Sequence, residues 1–378
     1  MEEENSDTRE LSIEFTGSGS EYFGIWIVNI LLTILTLGIY TAWAKVRTRK
    51  YFYNNTRMDG AIFDYHASPI AILKGWAIVV GVLIVQQVLS SINILYGLGL
   101  LLAIMAFIPW AMVRSRVFNL LNTSYRNVRF YFEREYKELY TIFLIAPLPI
   151  IVGYGLFFYV AISAESAEVT PDTGIMALAG VFILAGFVLL PYYLHRFYSF
   201  IITRSSFGRT PFENCSSAGA FYSIYLKAFG LGLLVGVAMM VVMGVSAGLA
   251  DVADGVISVI MGVLAFVIYL IGIYYVIYFI EATKLNEIWG KTSIDGNRFI
   301  SKLEPWGLMW VMLSNTVLIV ITLGIYIPWA HVRMTRYRLN HLLIEVTGDM
   351  DNYIAKGHKE MGALGAELGD AMDFEISL

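Results

Sequence analysis

A single cysteine, Cys215, leaves the chain without an internal disulfide or a cysteine-based metal motif. Charge is scarce as well: 15% of the 378 residues are charged and 57% are hydrophobic, with a mean hydropathy of +0.65. That balance lies outside the range of soluble domains and marks an integral membrane protein. The formal charges nearly cancel, to -4, and the basic residues are spread over several linkers, so nothing points to nucleic acid as a partner.

Catalytic signatures are missing too. The histidines, His66, His195, His331, His341 and His358, include no pair at helical metal-ligand spacing and no His-Glu-x-x-His. Gly17-Ser18-Gly19-Ser20 lacks the Gly-Lys-Ser/Thr of a phosphate loop and reads as a flexible entry to the first membrane segment. No Gly-x-Ser-x-Gly elbow occurs. No catalytic, cofactor or metal residue is therefore assigned. The start, MEEENSDTRELSIEF, is acidic where a signal peptide would be basic and then apolar, so no cleavage is expected.

What is present is repetition. Residues 37–50, LGIYTAWAKVRTRK, return as 323–336, LGIYIPWAHVRMTR, with ten of fourteen places identical or closely similar. Each is an apolar segment ending in an interfacial aromatic followed by basic helix, which reads as an exit from a membrane. Measured from Trp43, Arg47 lies at plus 4, Thr56 at plus 13, Gly60 at plus 17 and Phe63 at plus 20. Trp110 leads in the same steps to Arg114, Thr123, Asn127 and Phe130. Tyr192 leads to Arg196, Ser205, Arg209 and Phe212, with its glycine one place early at Gly208. Phe279 leads to Thr283, Thr292, Gly296 and Phe299, whereas Trp329 keeps Arg333 and then departs from the pattern. The chain reads as five copies of one membrane-to-cytoplasm module.

Apolar runs over 75–113, 141–194 and 228–280 are each long enough for two crossings, and shorter runs cover 24–40 and 306–328. Lys and Arg avoid 75–113, 138–195 and 228–283. The linkers are therefore cytoplasmic, and the acidic hairpin tips at 165–172 and 251–255 face away. The fold class that follows is an all-α polytopic membrane protein of three transmembrane helical hairpins plus two terminal membrane segments. Those segments make either eight spans or six spans with two re-entrant hairpins, with a turn at Asn29 and Asn315 in the second case. A polar tail over 1–14, one membrane domain over 15–352 and a tail over 353–378 complete the organisation. Each linker carries a basic aromatic stretch, a turn such as Asp59-Gly60 and a short aromatic element. It predicts amphipathic helices in the cytoplasmic interface with small extended pieces capping the bundle.

With LTLGIYTAWAKVRTRKYF, NTRMDGAIFDY and LGIYIPWAHVRMTRYR in view, the sequence resembles the YjgN family of bacterial inner-membrane proteins over residues 15–352. The resemblance implies a bacterial inner membrane. It transfers no catalytic residue, because no activity is established for that family.

Two groups of side chains stand out. Arg47, Arg114, Arg196 and Arg333, one helical turn past an interfacial aromatic, are candidate lipid-headgroup contacts, with topology determination as the plainer explanation. Asn29, Asn315 and Glu281 are candidate membrane-embedded polar groups, together with Gln86, Gln87 and Asn93, which the bland reading puts near an outer loop. Gly232-x-x-x-Gly236 offers a close helix approach. Membrane lipids are the expected partners, and no protein partner is indicated. Two function classes follow: a transporter or channel for a small solute or lipid in a repeat-built bundle, or a non-catalytic membrane-organising protein that binds headgroups or a partner.

Overall fold

The fold is taken from a computed structural model that describes residues 8–167, 172–249 and 255–347. The acidic hairpin tips fall largely outside these residues, as do the 353–378 tail and His358. The chain begins with strand β1 (Thr8–Phe15), helices α1 (Gly19–Leu35) and α2 (Thr41–Asn54), and strands β2 (Thr56–Met58) and β3 (Ala61–Tyr65). Helices α3 (Pro69–Ile92) and α4 (Ile94–Leu121) lead to β4 (Thr123–Tyr125) and β5 (Val128–Phe132). Next come α5 (Lys137–Tyr140), a π-helical turn (Thr141–Ile145), α6 (Leu148–Ala167), α7 (Thr173–Thr203) and strands β6 (Ser205–Phe207), β7 (Thr210–Pro211) and β8 (Glu213–Asn214). The last part comprises α8 (Ala218–Leu249), α9 (Gly255–Gly290), β9 (Thr292–Ile294), β10 (Asn297–Ser301), α10 (Pro305–Ile321), α11 (Ile327–Asn340) and β11 (Leu342–Thr347).

Six helical stretches are long and apolar enough to cross a membrane: Pro69–Ile92, Ile94–Leu121, Lys137–Ser163, Thr173–Thr203, Ala218–Gly248 and Val259–Gly290. Helices α1 and α10, at 17 residues, extend only about 26 Å at 1.5 Å per residue, short of a hydrocarbon core of about 30 Å. Each is followed by a turn and then by a polar, basic helix, α2 or α11, that leads back to the sheet. The turns lie at 36–40 and 322–326, seven residues beyond Asn29 and Asn315. Thr-Leu-Gly determines the place. Gly38 and Gly324 adopt φ 93°, and the Thr36 and Thr322 hydroxyls each donate to a helical carbonyl and accept from the amide of Tyr40 or Tyr326. The polar groups freed by the turn are thereby bonded within it.

The strands form one antiparallel sheet in the order β7-β6-β5-β4-β3-β2-β1-β11-β10-β9-β8. Its two edges, β7 and β8, are consecutive in the chain with only Phe212 between them, so the sheet nearly closes on itself as a barrel. Closure depends on β1, which pairs with β11 on one side and β2 on the other. The segment read as an acidic tail enters the sheet from Thr8 because Leu-Ser-Ile-Glu-Phe alternates, burying Leu11, Ile13 and Phe15 on one face. Likewise, the stretch after Trp329 departs from the sequence pattern because β11 finds its partner at the far end of the chain.

The strand hairpins turn through residues with positive φ: Asp59 and Gly60, Arg126 and Asn127, Asp295 and Gly296. Positive φ at both central residues matches the right-handed twist of the flanking strands. Inside the barrel, Met58, Tyr125, Phe207, Ile294 and Ile344 meet in one buried cluster with Leu11, Ile13 and Val128. Each of the first five stands fifteen residues past a boundary aromatic. The plus 13 residue acts one step earlier. The hydroxyls of Thr56, Thr123, Ser205 and Thr292 donate to the carbonyl four residues back, at the end of α2, α4, α7 and α9.

Separate basic helices form only in the two terminal modules, as α2 and α11, among the described residues. α4, α7 and α9 run unbroken through their basic stretches into the strands, since no turn residue interrupts them before the plus 13 position. Glycines pack α6 against α7 at Gly153 and Gly186, and α9 against α8 at Gly272, whereas a Cβ at Gly232 or Gly236 would meet nothing.

Ile13→Ala should lower stability by about 2–5 kcal/mol, because it empties part of the barrel core. Ser12→Ala, on the exposed face of the same strand, should stay within about 0.5 kcal/mol. Melting temperatures in detergent compare the two, and equal losses would mean that β1 is not a core strand.

Candidate functional site

The four arginines one turn past the boundary aromatics have four different surroundings. Arg47 is exposed on α2 with no hydrogen-bond or ion-pair partner among the described residues. The Arg114 guanidinium lies 5.6 Å from the Trp110 ring. Arg196 binds Glu138 at 2.7 Å, tying α7 to α5. Arg333 points inward and donates to Ser314 Oγ at 2.8 Å and Asn315 Oδ1 at 3.2 Å. Two of the four thus spend their donors inside the protein, and the exposed Arg47 is left nearest to lipid.

The embedded polar groups join the arms of the short hairpins. Asn29 Nδ2 donates to the Ala44 carbonyl at 3.5 Å, and Asn315 Nδ2 donates to the Ala330 carbonyl at 3.4 Å. Both asparagines are buried, at 5% and 3% exposure, but only Asn315 has its oxygen paired; Asn29 Oδ1 has no partner. Glu281 binds Lys284 at 2.8 Å and Arg338 at 3.4 Å, linking α9 to α11, while Lys284 lies over the Tyr198 ring of α7. Asn93 caps α4 through the Leu95 amide in the turn after α3, Gln86 bonds Ser90, and Gln87 is exposed. Ser18 forms a capping box with Glu21 and binds Tyr51, so the Gly-Ser stretch is a fixed helix start. A Cβ at Gly19 would lie 2.2 Å from Trp329.

The helices that feed the barrel are α2, α4, α7, α9 and α11, and four of the five seams between them hold an apolar cluster. Val113, Val117, Phe132 and Phe200 fill the seam of α4 and α7; Ile202, Phe221 and Ile288 that of α7 and α9. Ala282 and Leu308 serve α9 and α11, and Tyr22 with Val332 serves α11 and α2. The seam of α2 and α4 is different. Its centre is Arg49, which donates to Asn119 Oδ1 and to the Tyr65 hydroxyl, the latter at 2.7 Å. The Arg49 cation also lies 5.2 Å from the Tyr65 ring. Tyr65 is fully buried, and that burial pushes its phenol pKa up, with the Arg49 hydrogen bond opposing the rise.

Beside this group opens a groove of about 520 Å³, lined by Arg49, Arg116, Ser115 and Asn119 at one end and Ile108, Ala111 and Met112 at the other. Side-chain volume explains why the groove is here. Five and nine residues past their boundary aromatics, α7 has Phe197 and Ile201, where α4 has Ser115 and Asn119. The lining has two cations, amide and hydroxyl donors and no carboxylate, and its apolar end points toward the spanning part of α4. Such a surface suits an anionic headgroup with the start of its acyl chain. Sequence reading by single motif passes over Arg49, Ser115, Arg116 and Asn119. Comparing plus 5 and plus 9 of α4 with those of α7 would have exposed Ser115 and Asn119, and Arg49 and Arg116 share the plus 6 place.

Asn315→Leu removes two hydrogen bonds and leaves Arg333 short of an acceptor, so a loss of about 1–3 kcal/mol is expected. Asn29→Leu removes one long bond and an oxygen that is already unpaired, so its loss should be clearly smaller. Thermal melts in detergent rank the pair; the reverse order would contradict this assignment.

Comparison with known proteins follows the same outline. An inner membrane protein YjgN of Salmonella typhimurium is 25% identical over 377 residues, covering 92% of this chain and 91% of that protein. Proteins of the same name from Escherichia coli O157:H7 and Escherichia coli K12 are each 28% identical over 53% of this chain and 52% of their own length. No solved structure matches significantly. The profile described as bacterial protein of unknown function (DUF898) matches residues 10–371. The chain belongs to this DUF898 family, whose curated relatives are YjgN inner-membrane proteins.

Proposed function

We propose that this inner-membrane protein is a membrane-organising, lipid-binding protein that holds an anionic phospholipid of the sheet-side leaflet in the seam of α2 and α4. One observation carries the reading: the other seams hold apolar clusters, and the charges beside them, Glu281, Lys284 and Arg338, pair with one another, whereas this one keeps an amphiphilic groove with Arg49 and Arg116 at its polar end and no carboxylate. Its position fits. The groove straddles the level of Trp110, with Ile108 on the membrane side and Arg116 and Asn119 on the strand side. No chemical step is part of this reading. Transport is the second reading, supported by the paired short hairpins, which resemble the broken helices of repeat-built carriers. The cluster at the barrel's centre speaks against an axial path.

The topology proposed with it is six spans, with α1–α2 and α10–α11 re-entrant and both termini cytoplasmic. Support comes from β1 and β11, which lie in the same sheet as every linker hairpin, and from the basic residues that flank that sheet. A C-terminal reporter active only in the periplasm should stay silent. Strong activity would overturn the topology.

Arg116→Ala removes one exposed cation with no hydrogen bond among the described residues, at about 1 kcal/mol, or roughly fivefold in lipid retention. Arg49→Lys keeps the charge while losing the paired donors to Tyr65 and Asn119. Native mass spectrometry of the purified protein with phosphatidylglycerol should show retention weakened in Arg116→Ala and further in the double variant. Phosphatidylcholine should bind all forms weakly and equally. Unchanged phosphatidylglycerol retention in the double variant would refute the site, and solute flux in vesicles that survives it would favour transport.

A further inference from the structure

We infer that the two short hairpins together form a wedge that fills only the sheet-side leaflet, whose acyl chains are its binding partner. The inference rests on the proposed topology of six spans and adds a consequence for the shape of the membrane.

Depth is fixed by where charge begins. In the first hairpin, exposed Lys45 and Arg47 stand four and six residues past Thr41, the first residue of α2, or about 6 and 9 Å at 1.5 Å per residue. In the last, Arg333 stands six residues past Ile327, about 9 Å, at the level that Arg47 holds in the first. The cations belong among headgroups, so each tip reaches only about 10 Å beyond them, less than the roughly 15 Å of one hydrocarbon leaflet. The tips themselves are apolar and bare. Leu37 is 90% exposed and Leu323 is 93% exposed, with Leu35, Ile39, Ile321 and Ile325 around them. Both leucines are held at φ near 50°, where a leucine is strained, so each side chain projects from the outermost point of its turn.

The two hairpins also sit side by side. α1 packs on α11, with the Phe23 and Trp329 rings 5.1 Å apart and Tyr22 stacked near His331. They therefore act as a single inclusion in one leaflet, and among the described residues nothing balances it in the other, since neither α1 nor α10 continues past its turn. Basic groups at the base complement anionic headgroups, and apolar groups at the tip complement acyl chains. An inclusion of this kind expands the leaflet it enters. It favours membranes that are convex on the sheet side.

Two measurements test this with the full chain carrying Cys215→Ser. Nitroxide labels on Leu37→Cys or Leu323→Cys, in vesicles of phosphatidylcholine and phosphatidylglycerol, report depth by collision with oxygen against a water-soluble nickel chelate. Both labels are expected below the headgroups and above the midplane. A label in water, or beyond the midplane, would overturn the inference. The second measurement reads orientation by protease access to the C-terminal segment after reconstitution into small or large vesicles. In small vesicles most molecules should have the sheet side outward, and the bias should fade in large ones. Leu37→Asn with Leu323→Asn should abolish the bias while the six long helices keep the chain inserted, because asparagine tolerates the left-handed backbone and preserves both turns. No bias in the unmodified tips, or a bias that survives the double variant, would overturn it. Loss of lipid retention at Arg116 has no bearing on either readout, so failure of the seam and failure of the wedge are separately visible.

Discussion

The backbone pairing of the short strands is the constraint on which the other parts depend. Helices that cross a membrane satisfy their own amides, so lipid gives them no reason to stand in any particular order. The strands supply the order. Each of α2, α4, α7, α9 and α11 ends where a hydroxyl or a ring nitrogen takes the carbonyl four residues back, and a strand begins within two residues. Because β3 is bonded to β2 on one side and β4 on the other, α2 and α4 must stand next to each other. The same logic runs round the barrel to β1 and β11, which join the ends of the chain.

That closure sets the fate of the short hairpins. With β1 and β2 paired, α1 and α2 must start and finish on the same side, and neither the 17 residues of α1 nor the 14 of α2 are long enough to go across. A chain reversing inside lipid has to bond its own freed polar groups. Thr36 and Thr322 do this with one hydroxyl each, at the expense of a leucine in a left-handed conformation, which costs on the order of 1–2 kcal/mol. On the proposed re-entrant topology, the leucine side chain gains a lipid environment in return.

Much of this is legible in the sequence, and the exceptions have physical causes. The three long hairpins follow from hydropathy and the spacing of Lys and Arg, and the strand turns follow from Asp59-Gly60 and Asp295-Gly296. The sequence places the turns of the short hairpins at Asn29 and Asn315, since a buried amide is a common answer to a broken helix. A threonine hydroxyl does the same work nearer the tip, and the asparagines instead tie the two arms together. The pairing of β1 with β11 is not legible at all: Leu11 and Ile344 are more than three hundred residues apart, and alternation in a polar segment gives no sign of its partner. The seam of α2 and α4 is intermediate. Ser115 and Asn119 look ordinary on a helix until they are set beside Phe197 and Ile201.

The departures from regularity gather on one element. α2 carries Arg49 into the polar seam on one side, and on the other it leaves Asn29 Oδ1 without the guanidinium that Arg333 gives to Asn315. The difference comes from one neighbouring residue. Ser314 supplies a second acceptor that draws Arg333 inward, whereas Val28 stands in the matching place beside Asn29 and offers Arg47 nothing comparable. An arginine held by a single amide, at the edge of a membrane rich in phosphate, gains more from lipid than from the protein interior. α2 therefore leaves Arg47 outward, where α11 turns Arg333 inward, and this supports the proposal that the α2 side of the barrel is the face that meets anionic lipid.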